Sequence, residues 1–346
     1  MIKLVNIGVI GCGYWGPNLI RNFSQIKDCK VLWCADLSDE RLQHIKEIYP
    51  SVQATKSYMD INNDKNVDAV AIATPVSSHF EQAKKALESG KHVLVEKPIT
   101  SNSKDAEELI RIADKNKRIL MVDHTFEYSP AVNKIKEIID SGELGKIFTI
   151  DMIRVNLGLF QKDINVVWDL APHDISILLF LLDKMPLSAS ADGVDFVQKG
   201  IEDDAHLALK FPDRVMAHMH VSWLDPLKIR KVTIVGNRKM LVYDDTAQNE
   251  RVKIYDKGVN LEKNSLPRDE YYSTWEGFKL VYRSGDVNIP RIEEKEPLSI
   301  MCRHFIDCIK TGKRPVSDGN SGLRVVKVIE ALQESLKNNG AEVSLQ

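Results

Sequence analysis

Hydrophobic and polar positions in the first third of the chain form short apolar runs separated by segments with helical periodicity. Such runs are typical of strands buried on both faces of a parallel sheet. The alternation predicts a doubly wound α/β sheet, with ligands at the carboxyl ends of its strands. Strands are expected near 5–10, 30–35, 52–54, 67–73, 92–95 and 119–122, and helices after Gly16 and over 38–49, 77–90 and 103–117.

The pattern changes after residue 123, where alternating strands follow two helical runs. This predicts an α+β domain with a large, mostly antiparallel, open-faced sheet. We therefore expect a Rossmann domain over 1–123 and a second domain over 124–346, with the closing helices able to pack back on the first. The second domain's expected helices are 130–141, 170–182, 298–310 and 319–337, its strands are 146–155, 188–198, 203–211, 214–223, 229–236 and 239–243, and 247–297 is expected to be irregular.

Composition and charge narrow the functional class. The 346 residues carry a formal net charge of −2, which provides no basic footprint for nucleic acid. No apolar run is long enough to span a bilayer, and Met1-Ile2-Lys3 leads directly into a core strand rather than a signal peptide. The five cysteines lack metal-type spacing, so we expect reduced thiols and a cytoplasmic protein without a membrane partner.

A glycine motif follows the first strand. Gly11, Gly13 and Gly16 have the G-x-G-x-x-G spacing, in which the glycines permit a tight turn, approach of the pyrophosphate and close helix packing. The amides that begin the next helix then face the phosphates. We expect Tyr14 and Trp15, which lie within the loop, to contact the cofactor as well.

Asp36 ends the second strand, where an acid is expected in a dinucleotide site. Its carboxylate can accept hydrogen bonds from the ribose hydroxyls of NAD and repels the additional phosphate of NADP. The nearest following arginine is Arg41, so NAD is favoured over NADP. The structural alternative is a glycine-rich turn followed by a helix-capping aspartate.

Two further groups of residues have catalytic potential. Lys97 follows the fifth strand in Glu96-Lys97-Pro98, where an ammonium can polarise a reacting oxygen, although strand-ending surface lysines are also common. Asp169 and His173 lie four residues apart and share one helix face, as a general base and its orienting carboxylate would. Alternatively, Asp169 complements the helix dipole and His173 is a partly buried structural histidine.

These motifs together resemble the glucose–fructose oxidoreductase/inositol dehydrogenase (Gfo/Idh/MocA) family over nearly the whole chain. The resemblance implies that Lys97, Asp169 and His173 form the catalytic group, with His173 as the base. It also implies a cis Lys97–Pro98 bond and a homodimer or homotetramer formed through the second domain's sheet. In the cofactor site, the resemblance implies that Thr74, Pro75 and Glu96 lie along the nicotinamide, and we expect Pro98 to contact the cofactor as well. Many members have Asn where this chain has Val76, so a side-chain contact from that position is not expected.

The segments 154–158 and 165–174 resemble a group within the family that oxidises the C3 hydroxyl of UDP-N-acetylhexosamines. An arginine suits a diphosphate, whereas ordinary strand and loop polarity is the alternative. We expect His79 to contact the cofactor or the substrate, and capping of its own helix is the structural alternative. The substrate contacts expected beyond the catalytic group are Tyr128, Arg154, Asn156, Asn165 and Trp168.

His218-Met219-His220 lies on one predicted strand and His206 on another. Alternate histidines on a strand can bind a metal, but no acid cluster is evident nearby in the sequence. A polar sheet face or subunit interface is therefore favoured, and no metal is expected.

The sequence thus predicts an NAD-dependent dehydrogenase that oxidises a secondary sugar hydroxyl, with C3 of a UDP-N-acetylhexosamine preferred. His173 would remove the hydroxyl proton while Lys97 polarises the oxygen. One alternative is an inositol or free-sugar dehydrogenase. An alternative of another class is a non-catalytic regulator that senses NAD.

Overall fold

The computed structural model describes residues 4–259 and 282–345. The chain divides into two compact units, Met1–Ser129 with Lys295–Glu330, and Pro130–Glu294 with Ala331–Gln346. The first unit thus continues beyond the boundary at 123 that the sequence suggested, and it includes a segment near the end of the chain. None of the helices in the described ranges is long and apolar enough to cross a membrane.

The first unit contains a six-stranded sheet of order β3-β2-β1-β4-β5-β6. All of its neighbouring strands are parallel, because each returns to the sheet through a crossover connection. The chain reverses its direction of winding between β1 and β4, which is where doubly wound sheets bind ligands. The strands are β1 (Val5–Ile10), β2 (Cys29–Ala35), β3 (Gln53–Thr55), β4 (Ala69–Ile72), β5 (His92–Val95) and β6 (Leu120–Val122).

The second unit contains a nine-stranded sheet of order β14-β13-β12-β11-β7-β10-β9-β8-β15. Its neighbours are antiparallel except β7 and β10, which are parallel. The two sheets confirm the predicted fold class. The strands are β7 (Ile147–Leu157), β8 (Ser188–Val194), β9 (Asp204–Lys210), β10 (Met216–Ser222), β11 (Leu224–Gly236), β12 (Met240–Asp244), β13 (Val252–Val259), β14 (Tyr282–Asn288) and β15 (Val343–Ser344).

Several helices begin at a polar residue whose side chain caps the helix N-terminus. Ser38 accepts from the backbone N–H of Arg41, and Asn102 accepts from that of Asp105. The α-helices in the described residues are α1 (Gly16–Ser24), α2 (Asp39–Ile48), α3 (Tyr58–Asn63), α4 (Val76–Glu88), α5 (Ser103–Asn116), α6 (Pro130–Asp140), α7 (Val166–Leu182), α8 (Pro297–Thr311) and α9 (Gly319–Lys337).

The structure corrects several predicted elements. Strand β8 ends at Val194 rather than 198, and β11 begins at Leu224 rather than 229. Helix α7 begins at Val166 rather than Leu170, because the Asn165 side chain accepts from the backbone N–H of Trp168 and caps it one turn earlier. Helix α3 was not predicted. The segment 247–297, expected to be irregular, contains β13 and β14, and its residues 260–281 lie outside the described ranges.

Candidate functional site

The glycine loop occupies the carboxyl end of β1, beside the end of β4. Gly11 has φ +91°, and a Cβ there would lie 2.5 Å from the carbonyl oxygen of Ala73. A Cβ on Gly16 would lie 2.0 Å from the carbonyl oxygen of Gly11. At Gly13, by contrast, the nearest atom to an added Cβ is Arg41 Nη1 at 3.7 Å. The loop therefore fits a dinucleotide phosphate group, because two glycines close the turn and the third leaves the approach open.

The two aromatic residues of the loop are solvent-accessible. Tyr14 is 82% exposed and Trp15 41%, and their rings meet edge-to-face with centroids 5.2 Å apart. Exposed aromatic rings beside a glycine loop suit contact with a bound cofactor, so both residues stay predicted cofactor contacts.

We expect Gly11→Ala to weaken NAD binding at least about tenfold, because the methyl group clashes with rigid backbone and demands a strained φ. Gly142→Ala is the matched control, since Gly142 also has positive φ (+72°) but nothing lies within 4 Å of its added Cβ. Fluorescence titration with NAD checks both variants. Unchanged NAD affinity in Gly11→Ala would show that the dinucleotide binds elsewhere.

Asp36 is nearly buried and already has backbone partners. Its Oδ2 accepts from the N–H of Cys12 at 2.7 Å, and its Oδ1 accepts from the N–H of Ser38 at 2.9 Å. The Nη1 of Arg41 lies 3.6 Å from Oδ2. Asp36 therefore holds the glycine loop against β2. The guanidinium of Arg41, five residues after Asp36, lies beside this carboxylate, and the sequence did not predict that contact.

The Glu96-Lys97-Pro98 segment follows β5, and the Lys97–Pro98 bond is cis, as the resemblance implies. Glu96 is buried, and both its burial and the neighbouring Asp123 carboxyl raise its pKa. Thr125 Oγ1 donates to Asp123 Oδ1. Glu96 thus belongs to a buried carboxyl pair close to Lys97, and its position along the nicotinamide stays a prediction.

His79 lies in the first turn of α4 and connects the two loops expected to hold the nicotinamide. Its Nδ1 lies 2.9 Å from the carbonyl oxygen of Pro98, and its Nε2 lies 2.7 Å from that of Thr74. Burial lowers its pKa, so the neutral ring donates to one carbonyl at a time. Both ring nitrogens face backbone carbonyl oxygens, so His79 positions these two loops, and its contact with a bound ligand stays a prediction.

His124 was not selected from the sequence, although it lies near Lys97. It is fully buried, and neither ring nitrogen has a hydrogen-bond partner in the part of the chain that the structure describes. Burial and the charge of Lys97 lower its pKa to about 3. A buried, neutral histidine therefore lies close enough to Lys97 for the lysine charge to affect its pKa.

Asp169 and His173 lie on α7 in the second unit, one helical turn apart. Asp169 Oδ2 accepts a 3.0 Å hydrogen bond from the indole Nε1 of Trp223, which is itself buried. His173 is half-buried. The indole fixes the carboxylate, so α7 carries an oriented acid and an imidazole on the same face. Trp223 was missed because it lies 54 positions from Asp169 in the sequence.

Two of the residues expected to contact substrate, Arg154 and Asn165, form contacts within the protein. Arg154 is buried and donates from Nε and Nη2 to Oδ1 of Asp174, at 3.0 and 2.7 Å. Asn165 caps α7 and donates to Glu202 and Gln333, at 2.6 and 2.9 Å. These contacts account for the polarity of Arg154 and Asn165 without a ligand.

The other three predicted substrate contacts, Tyr128, Trp168 and Asn156, have different surroundings. Tyr128 is buried in the first unit, where its hydroxyl lies 2.9 Å from Oγ of Ser317. The indole of Trp168 donates to Gln333 Oε1 at 3.1 Å. Asn156 is half-buried on β7. Tyr128 is thus a core residue, whereas Trp168 and Asn156 retain partly accessible side chains.

Comparison with known proteins identifies the family to which the two units belong. A sequence model described as an oxidoreductase family with an NAD-binding Rossmann fold matches residues 5–124, and one described as the GFO/IDH/MocA C-terminal domain matches residues 132–242. One match lies in each unit, and together they confirm the family resemblance.

Two curated relatives and one solved structure have informative names. The chain is 27% identical over 358 residues to myo-inositol 2-dehydrogenase of Thermotoga maritima, covering 96% of each protein. It is 30% identical over 198 residues to UDP-N-acetylglucosamine 3-dehydrogenase of Acidithiobacillus ferrooxidans, covering 54% of this chain and 57% of that protein. The structure of that enzyme, GnnA, superposes with a TM-score of 0.81 at 23% identity, covering 98% of this chain and 99% of that one, which shows a shared fold.

Proposed function

Because the chain belongs to the GFO/IDH/MocA family of oxidoreductases, we propose that it oxidises a secondary hydroxyl of a sugar, with C3 of a UDP-N-acetylhexosamine as the preferred position. NAD, when bound, supplies the acceptor for the hydride that leaves the carbinol carbon. The observation that carries the proposal is the Asp169–His173 pair on one face of α7, in a chain whose other unit presents Lys97 after β5.

Each proposed role follows from the chemistry of its side chain. The imidazole of His173 takes the hydroxyl proton as the C–H bond breaks. The ammonium of Lys97 donates to the hydroxyl oxygen and stabilises its developing negative charge. Asp169, held by the indole of Trp223, orients the groups around the imidazole.

The nucleotide-sugar preference is supported by the similarity to UDP-N-acetylglucosamine 3-dehydrogenase, which extends over 54% of this chain. An inositol or free-sugar dehydrogenase is the second candidate. The similarity to myo-inositol 2-dehydrogenase spans 96% of the chain, and Arg154, the expected diphosphate contact, is paired with Asp174. We also expect a homodimer or homotetramer, as the family resemblance implies.

NADH formation tests the substrate. The purified protein would be assayed with UDP-N-acetylglucosamine, N-acetylglucosamine, glucose and myo-inositol, with a ketone trap to remove product. NADH formed with the UDP-sugar alone would support a nucleotide-sugar substrate. NADH formed with inositol or a free sugar would instead identify the protein as an inositol or free-sugar dehydrogenase. NAD binding without turnover of any of these sugars would favour the NAD-sensing regulator.

We propose NAD as the cofactor, because the Asp36 carboxylate repels a 2′-phosphate. Arg41 is the group through which residual NADP use would occur, since its guanidinium is 58% exposed and adjoins Asp36. We expect Arg41→Ala to lower kcat/KM for NADP about tenfold and that for NAD less than about twofold. Lys56→Ala, which removes an equally exposed cation paired with Asp39, is the control. Equal losses with both cofactors would contradict this role for Arg41.

A further inference from the structure

Asp204, His206 and His220 come together on the nine-stranded sheet, outside the groups assigned to catalysis. Their ligating atoms all lie within 4.8 Å of one another. Asp204 and His206 belong to β9, and His220 lies opposite His206 on the neighbouring strand β10. The two imidazole rings are stacked, with centroids 4.2 Å apart and planes inclined by 10°.

The carboxylate of Asp204 lies beside both rings. Its Oδ2 is 3.2 Å from Nε2 of His220, and its Oδ1 is 4.0 Å from Nε2 of His206. Asp204 is two residues from His206, so both side chains project from one face of β9. The carboxylate that is not apparent near His218-Met219-His220 in the sequence is therefore supplied by the adjacent strand β9.

Charge and access both suit a cation at this position. Asp192 lies opposite His206 on β8 and places a further carboxylate on the same face of the sheet. In the single chain the side chains of Asp204 and His220 are 27% and 29% exposed and that of His206 is 69% exposed, so the chain itself leaves all three open to an ion. The backbones of β9 and β10 are fixed by their ladder, which leaves only side-chain rotation to complete a ligand set.

We propose that Asp204, His206 and His220 bind a divalent transition-metal ion of the zinc type. Two imidazole nitrogens and one carboxylate oxygen are ligands that Zn²⁺ accepts, and a tetrahedral ion held by three side chains keeps its fourth position for water. Mg²⁺ favours oxygen ligands and is not expected to bind here. The ion would link β9 to β10 within one chain.

The same sheet face provides a matched control. His218 and Asp151 lie opposite each other on β10 and β7, with Nδ1 3.2 Å from Oδ1. This pair has one imidazole and one carboxylate, without a second histidine in the group. Like the proposed site, it places an accessible imidazole beside a carboxylate, but it lacks the complete ligand set.

Calorimetric titration of chelator-treated protein with ZnCl₂ tests the site. We expect one Zn²⁺ per chain, loss of that binding in His206→Asn, His220→Asn and Asp204→Asn, and its retention in His218→Asn. Circular dichroism would establish that each variant is folded. Absence of zinc binding in the wild type, or stoichiometric binding retained in both His206→Asn and His220→Asn, would overturn the proposal.

Thermal unfolding supplies a second readout that does not depend on catalysis. An ion that joins two strands only in the folded state raises Tm by mass action, so zinc at about 100 times its Kd should raise Tm by several degrees. The rise should occur in the wild type, in His218→Asn and in the catalytic-site variant His173→Asn, and should be absent in His206→Asn. An equal rise in His206→Asn would overturn the assignment.

Discussion

The His173→Asn variant is expected to lose about 10²- to 10⁴-fold in kcat, while its affinity for NAD stays within about twofold of the wild type. The proposed role of His173 is to accept the proton of the substrate hydroxyl, and an amide cannot accept it. Asp169 and its hydrogen bond from Trp223 remain in the variant, so the fold of α7 around the site should persist. The glycine loop belongs to the other unit, which is why NAD affinity should not change.

Steady-state NADH formation and a separate NAD titration measure the two effects of this substitution. His218→Asn is the control, because it makes the same replacement at a half-exposed histidine of the same unit and leaves α7 intact. It should keep wild-type kcat. A kcat for His173→Asn within a factor of ten of the wild type would remove His173 as the base, and the buried neutral His124 beside Lys97 would then be the next histidine to substitute.

The elements that the sequence predicted well are those specified by neighbouring residues. β4 is buried throughout and β1 is buried at every position except Asn6, as a parallel sheet covered on both faces requires. The spacing of Gly11, Gly13 and Gly16 is likewise a local property. β13 and β14 were missed because charged residues within 247–297 obscure the alternation that predicts a strand, whereas α7 was shortened because the cap at Asn165 was not recognised.

The candidate site was harder to predict because its side chains find partners that are distant in sequence. Glu96 pairs with Asp123, and Asp169 is oriented by Trp223, although neither partner lies in the same motif. Residue type alone cannot distinguish a polar side chain that is available to bind a ligand from one that is already hydrogen-bonded or ion-paired inside the protein. The motifs therefore located the loops and α7 correctly, whereas the function of an individual polar residue depended on its tertiary surroundings.

Arg154 is such a paired residue, and its structural role can be tested by measuring the stability of a variant. Its side chain and that of Asp174 are 5% and 3% exposed, and their closest atoms lie 2.7 Å apart. We expect Arg154→Met to lower the free energy of unfolding by about 3–5 kcal/mol, because it leaves the Asp174 carboxylate buried without its cation. Denaturant unfolding measures the loss. Lys184→Met, which removes one side of the exposed Lys184–Asp213 pair, is the control and should change stability little.

The double variant Arg154→Met with Asp174→Leu separates this structural role from a role in binding substrate. Replacing both members of a buried ion pair with apolar groups removes the unpaired charge, so most of the lost stability should return. If Arg154 acts only through Asp174, the stable double variant should keep a KM for UDP-N-acetylglucosamine within about threefold of the wild type. A recovered fold with a KM raised tenfold or more would instead restore Arg154 as a contact for the diphosphate, as the sequence had suggested.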